Sequence, residues 1–133
     1  NKEQEVSISD AEVLGAVGRG VKDEKTLALI ETLAQKLHAQ MACSRPVVES
    51  GRYDVRRQIG LSGRTVKPKL ILTFGVSGAI QFTACMNSAE CIVAVNNDPE
   101  APIFNIADIA IKDDLYAVLP EFLNDVKNRK DGE

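Results

Sequence analysis

Apolar residues along this chain fall into two patterns: short solid runs, and longer stretches in which they recur every three or four positions. "VLGAV" at Val13–Val17 is the first solid run and ends in "GRG". After the charged step "VKDEK", Leu27, Ile30, Leu33 and Leu37 share one helical face of Asp23–Ala39. That order predicts strand, glycine turn, helix. "AQMACS" at Ala39–Ser44 reads as a weaker second strand, and "RPVVESG" as a short helix with Pro46 near its start and Gly51 at its end. Arg52–Pro68 is polar, contains Gly60 and Gly63, and carries arginines at 52, 56, 57 and 64, so it reads as a long functional loop or a small irregular excursion. Lys69–Val76 predicts a strand, Gly78–Met86 a helix and Glu90–Asn96 another strand. The proline-punctuated "NDPEAPIF" leads to a short strand around Ile106–Ile111. A final helix starts near Asp113, which can cap it, with Leu115, Leu119, Phe122 and Val126 on its apolar face.

Apolar strands alternating with helices predict an α/β fold, a Rossmann-like three-layer domain whose mostly parallel sheet is covered on both faces. The chain has 133 residues, 44% of them hydrophobic, enough for one domain with its own core. The expected boundaries are a linker over 1–12, the domain over 13–127 and a flexible charged tail over 128–133.

Charge narrows the partners. Sixteen Lys and Arg against nineteen Asp and Glu leave a net charge of −3, with the basic residues scattered, which argues against a nucleic-acid footprint. Cys43, Cys85 and Cys91 are odd in number and sit in apolar surroundings, without a C-x-x-C pair or clustered histidines. Buried, inert thiols in a reduced intracellular protein are the simplest reading, and a metal site is not expected. No apolar run approaches the ~20 residues that span a bilayer, and "NKEQEVSISDAEV" lacks the apolar segment of a secretory signal.

Candidate chemistry gathers where strands end. In open parallel sheets, ligands bind beyond the carboxyl ends of the strands. Five such ends carry distinctive residues: "GRG" at Gly18–Gly20, "SR" at Ser44–Arg45, "VSG" at Val76–Gly78, "NND" at Asn96–Asp98 and "DDL" at Asp113–Leu115. A strand followed by Ser-Gly and a helix offers free N–H groups to one point, with Gly78 permitting close approach, and this geometry suits a phosphate. A nucleophile elbow would need Gly-x-Ser-x-Gly, but "GVSGA" lacks the closing glycine, and His38, the only histidine, is placed in a helix. Ser77 could instead act only as a helix cap.

The segments "GRGVK", "SRPVVESG", "QIGLSGRTVKPKL", "GVSGAIQF", "AVNNDPEAPIFNIAD" and "DDLYAVLPE" resemble, in order and spacing, the C-terminal FAD-binding domain of the electron-transfer flavoprotein alpha subunit. The resemblance covers roughly Leu14–Leu123. It implies a nucleotide-binding fold like that of deoxyhypusine synthase, with FAD at the carboxyl edge of the sheet. It also implies an electron carrier with no substrate chemistry of its own, accepting electrons from dehydrogenases such as acyl-CoA dehydrogenases, in a respiratory or an electron-bifurcating system. The implied partner is an electron-transfer flavoprotein beta subunit. The implied setting is the prokaryotic cytoplasm or the mitochondrial matrix, without membrane insertion.

Matched onto this sequence, Arg19 is an FAD contact, while Ser44 and Arg45 form the pair whose guanidinium lies against the isoalloxazine ring. Ile59, Gly60, Leu61 and Ser62 occupy the stretch that passes the flavin, with the Ser62 hydroxyl near N5. Ser77, Gly78, Ala79, Ile80 and Gln81 match the grip on the pyrophosphate and ribityl chain, and Phe82 follows them. Asn96, Asp114 and Leu115 match contacts toward the nucleotide half. Two positions depart from the family pattern: Leu61-Ser62 replaces a usual Gln-Thr, and Phe82 replaces the histidine that usually donates to the pyrimidine end of the flavin. The second departure predicts an anionic semiquinone less stabilised than in the common respiratory type. Two rival readings are a deoxyhypusine-synthase-like enzyme, which needs a cleft lysine that no motif clearly supplies, and a cofactor-free interaction module.

Overall fold

A computed structural model describes residues 8–60, 65–115, 117–121 and 124. Five strands, β1 (Val13–Val17), β2 (Gln40–Cys43), β3 (Leu70–Phe74), β4 (Ile92–Val95) and β5 (Ile109–Ile111), form a single sheet in the order β2-β1-β3-β4-β5. Every pairing is parallel. Val17 lies beside both Cys43 and Phe74, Phe74 beside Val95, and Val95 beside Ile111. This register brings the strands to an end along one line, so the polar residues that follow them meet at one edge.

Side chains alternate across a strand, and here both faces are apolar. Leu14, Ala16, Ile71, Ile92 and Ala94 point to one face, under Ile59, Val66, Phe82, Met86 and Ile103. Val17, Leu72, Phe74, Val93 and Val95 point to the other, under Leu27, Ile30, Leu33, Val47, Leu115 and Leu119. Each fully buried Leu or Ile contributes about 1.5–3 kcal/mol.

Helix α1 (Glu24–Lys36) supplies much of the second core, and Asp23 caps it by accepting the Thr26 N–H at 2.7 Å. Its end falls earlier than periodicity predicts. His38 takes a left-handed conformation (φ 57°) just past the helix, and the Ala39 N–H donates to the Ala34 carbonyl at 2.8 Å. Helix α2 (Arg45–Glu49) has Pro46 in its first turn, as expected. The following excursion contains a 3-10 turn at Val55–Arg57 and returns to the sheet, where the Ile59 N–H donates to the Cys43 carbonyl at 2.9 Å.

The helix expected over Gly78–Met86 is a single turn, α3 (Ile80–Thr83). Gly78 has φ 98° and Ala79 has ψ 149°, both outside helical space, and after Thr83 the bonds tighten to turns such as Met86 N–H to the Thr83 carbonyl. The last helical residues begin at Leu115, where the Asp114 carbonyl accepts from Ala117 and Val118, and the Asp113 carboxylate accepts the Asp114 N–H at 2.7 Å. Ahead of β1, Ile8 is fully buried in the first core, tying part of the stretch read as a linker to the domain. Leu61, Ser62, Phe122, Val126 and the tail 128–133 lie outside the described residues.

Candidate functional site

Strand order reverses between β1 and β3, so their outgoing connections part and leave a crevice above the sheet edge. The two loops meet backbone to backbone at its floor. The Gly18 N–H donates to the Phe74 carbonyl at 2.9 Å and the Gly20 N–H to the Gly75 carbonyl at 3.0 Å. A Cβ on Gly18 would stand 2.5 Å from the Gly75 oxygen, and one on Gly20 would stand 2.8 Å from the Gly75 Cα. These glycines therefore serve first to let two loops touch.

Above that floor lies a cavity of about 780 Å³, in the upper part of the usual range for small-molecule sites. Arg19, Ser44, Ser77, Gly78, Ala79, Phe82, Asn96, Asp114 and Leu115 line it, so nine of the expected site residues from five strand ends converge. A second cavity of about 240 Å³ is lined by Arg45, Ile59 and Gln81 and shares Ser44, Pro46, Ala79 and Phe82 with the first. The two together form an elongated site with Phe82 in the wall common to both.

Gly60 and Ile80 line neither cavity. Gly60 is buried, its α-carbon against the backbone of Gln81 and Phe82, and holds the excursion to α3. Ile80 is 80% exposed. Leu61 and Ser62 lie outside the described residues.

Two local readings change, and Asn96 gains a role. Ser77 does not cap α3, because the capping position is Ala79; the Ser77 carbonyl instead accepts the Ile103 N–H at 2.8 Å. The close approach at Gly78 is to Ile103, on whose backbone nitrogen a Cβ would fall. Asn96 braces the site: its Nδ2 donates to the Val76 carbonyl at 3.0 Å and its Oδ1 accepts the Asp98 N–H at 2.9 Å, joining the β3 and β4 loops.

Phe82 is 4% exposed and belongs to the core as much as to the cavities. Arg45 is exposed, and its Nε donates to Glu49 Oε2 at 3.1 Å along α2. Asn97 and Asp98 of the "NND" strand end also line the larger cavity, as do Lys22, Asp23, Thr26 and Ala101, which were not singled out from sequence. The signal for Lys22 was its place three residues after Arg19, within the "VKDEK" step.

The Thr26 N–H holds the Asp23 carboxyl below the usual carboxylate range. Burial pushes the Cys43 thiol up to about 12, which makes it inert. Cys85 and Cys91 are only half-buried, short of the burial expected for all three thiols. Among the described residues, no helix is long and apolar enough to cross a membrane.

The donor set fits an anionic dinucleotide. Among the described residues, the N–H groups of Ser77, Gly78 and Ala79 donate to no acceptor in the protein, and Arg19 and Lys22 carry no ion pair. Free amides and two cations beside a long cavity suit a pyrophosphate with a ring system at one end.

Fold and site thus define a nucleotide-cofactor-binding domain. A family model described as the electron transfer flavoprotein FAD-binding domain matches residues 7–87. The chain belongs to that family, and FAD is its cofactor. It is 54% identical over 99% of its length to the lactate dehydrogenase (NAD(+),ferredoxin) subunit LctC of Acetobacterium woodii, covering 32% of that protein. It is 44% identical over 92% of its length to the electron transfer flavoprotein subunit alpha of Mycobacterium leprae, covering 39% of it. It is 42% identical over 90% of its length to the probable mitochondrial electron transfer flavoprotein subunit alpha of Saccharomyces cerevisiae, covering 35% of it. The chain therefore spans about a third of the length of these relatives.

Proposed function

We propose that this domain holds the FAD of an electron carrier that takes electrons from a dehydrogenase and delivers them to a downstream acceptor, working with a beta subunit. The observation that supports it best is the double cavity at the strand-order reversal, lined from five strand ends by residues matching the family's FAD contacts. FAD supplies the redox chemistry, cycling between oxidised and reduced ring.

The chain's own residues bind and tune. The amides of Ser77, Gly78 and Ala79, with Arg19, take the pyrophosphate in the larger cavity. Asn96 keeps the β3 and β4 loops at fixed spacing, and Asp114 and Leu115 close the nucleotide end. Ser44, Arg45, Ile59, Gln81 and Phe82, which line the smaller cavity, would hold the isoalloxazine ring. A guanidinium there favours negative charge on the reduced ring and raises its potential. Gly60 acts indirectly, by seating the excursion against Gln81 and Phe82.

The 54% identity to a subunit of a lactate dehydrogenase named for NAD(+) and ferredoxin favours an electron-bifurcating assembly over a simple respiratory shuttle. The test is to add FAD to the chain, with and without a beta subunit, and to record the visible spectrum after gel filtration. Retained yellow flavin supports the reading. A featureless spectrum in both cases would refute it.

A further inference from the structure

The loop that leaves β1 is held from an unexpected direction. Arg52, on the excursion after α2, donates from Nη1 to the Val21 carbonyl at 2.7 Å and from Nη2 to the Lys22 carbonyl at 2.8 Å. Nη2 also lies 3.5 Å from Glu24 Oε1, and the Arg52 side chain is only 25% exposed. On the other side, the Val21 N–H donates to the Gly18 carbonyl at 3.1 Å. Val21 and Lys22 are thus pinned between an arginine fork and the glycine contact that floors the site.

What this segment presents to the larger cavity is Lys22. The cationic residues lining that cavity are Arg19 and Lys22, against Asp23, Asp98 and Asp114. A pyrophosphate brings two negative charges into a cavity that carboxylates also line, so a second cation beside Arg19 lowers the repulsion. Asp23 is engaged by the Thr26 N–H, and among the described residues Lys22 has no acidic partner.

We infer that Lys22 is a phosphate-binding side chain of the FAD site and that Arg52 is the positioning residue that holds it there. A lysine at position 52 could not reproduce this, because one ammonium cannot satisfy two carbonyls in the fixed fork of a guanidinium. The inference rests on the FAD pyrophosphate occupying the larger cavity.

FAD titrations of the full chain, followed by flavin fluorescence at several ionic strengths, test it. Lys22→Met, a substitution at an exposed position, is expected to weaken FAD about tenfold and to flatten the ionic-strength dependence. Arg52→Met should do the same, and the Lys22→Met/Arg52→Met double variant should be no weaker than the poorer single one. Arg52→Lys should recover only part of the loss. If Arg52→Met does not fold, Lys22→Met and Arg52→Lys carry the test. Lys22→Met within about twofold of wild type and equally salt-sensitive would overturn the inference. So would losses that multiply in the double variant, which would make Arg52 merely structural. Wild type that takes up no FAD overturns the cofactor site itself, a result distinct from either.

Discussion

Gly78→Ala is the sharpest probe of how the site is built. The residue has φ 98°, a Cβ there would fall on the Ile103 backbone nitrogen, and it would come within 3.0 Å of the Ile103 Cβ. Holding an L-residue at that φ costs about 1–2 kcal/mol. The clash is with backbone, so no rotamer relieves it, and such overpacking adds about 1–3 kcal/mol. Moving Ile103 away breaks its 2.8 Å bond to the Ser77 carbonyl, worth about 1 kcal/mol. The total is about 3–6 kcal/mol, or roughly 10 °C or more in Tm for a domain of this size. FAD affinity should fall with it, because the displaced bond orients the Ser77 and Gly78 amides. Gly51→Ala is the control, since Gly51 has φ 86° but nothing within 4 Å, so it should lose only about 1 kcal/mol. Thermal melts and FAD titrations of both variants decide the matter. If Gly78→Ala melts no lower than Gly51→Ala, the contact with Ile103 is not what requires glycine.

Other outcomes follow from single residues. His38→Gly should stabilise by about 0.5–1 kcal/mol, because His38 sits at φ 57° where helices favour glycine; an unchanged or lower Tm would count against this. Burial raises the Cys43 thiol to about 12, and burial with the Glu31 contact raises the Tyr53 phenol. The unfolded chain therefore releases these protons first, and stability present below about pH 9 is lost as pH rises toward 12, by up to about 1.4 kcal/mol per pH unit per group. Cys43→Ala should flatten that alkaline loss in pH-dependent denaturant melts. Phe82→His should raise the potential for the first electron into bound FAD by on the order of 60–130 mV, the worth of one charge-assisted hydrogen bond. Spectroelectrochemistry showing no rise would refute it, with a melt beside it because Phe82 is a core residue.

Periodicity and punctuation alone determined the α/β alternation, the apolar face of α1 and the gathering of polar residues at strand ends. Hydrophobic spacing and turn chemistry are local, and parallel pairing follows once strands and helices alternate. The motif order carried the family as well. What the glycines do was not legible: Gly18, Gly20, Gly60 and Gly78 each touch backbone far away in sequence, and only the folded chain shows which backbone it is. The late start of α3 lies in the non-helical backbone of Gly78 and Ala79, with Gly78 packed against Ile103, 25 residues further on. Arg52 showed only as one arginine of a polar loop because its carbonyl partners lie 30 and 31 residues earlier, and nothing local showed that the Asn96 amide, besides lining the cavity, joins two loops. Local patterns place residues at the sheet edge, but hydrogen bonds between distant loops decide which atoms remain free to meet a cofactor.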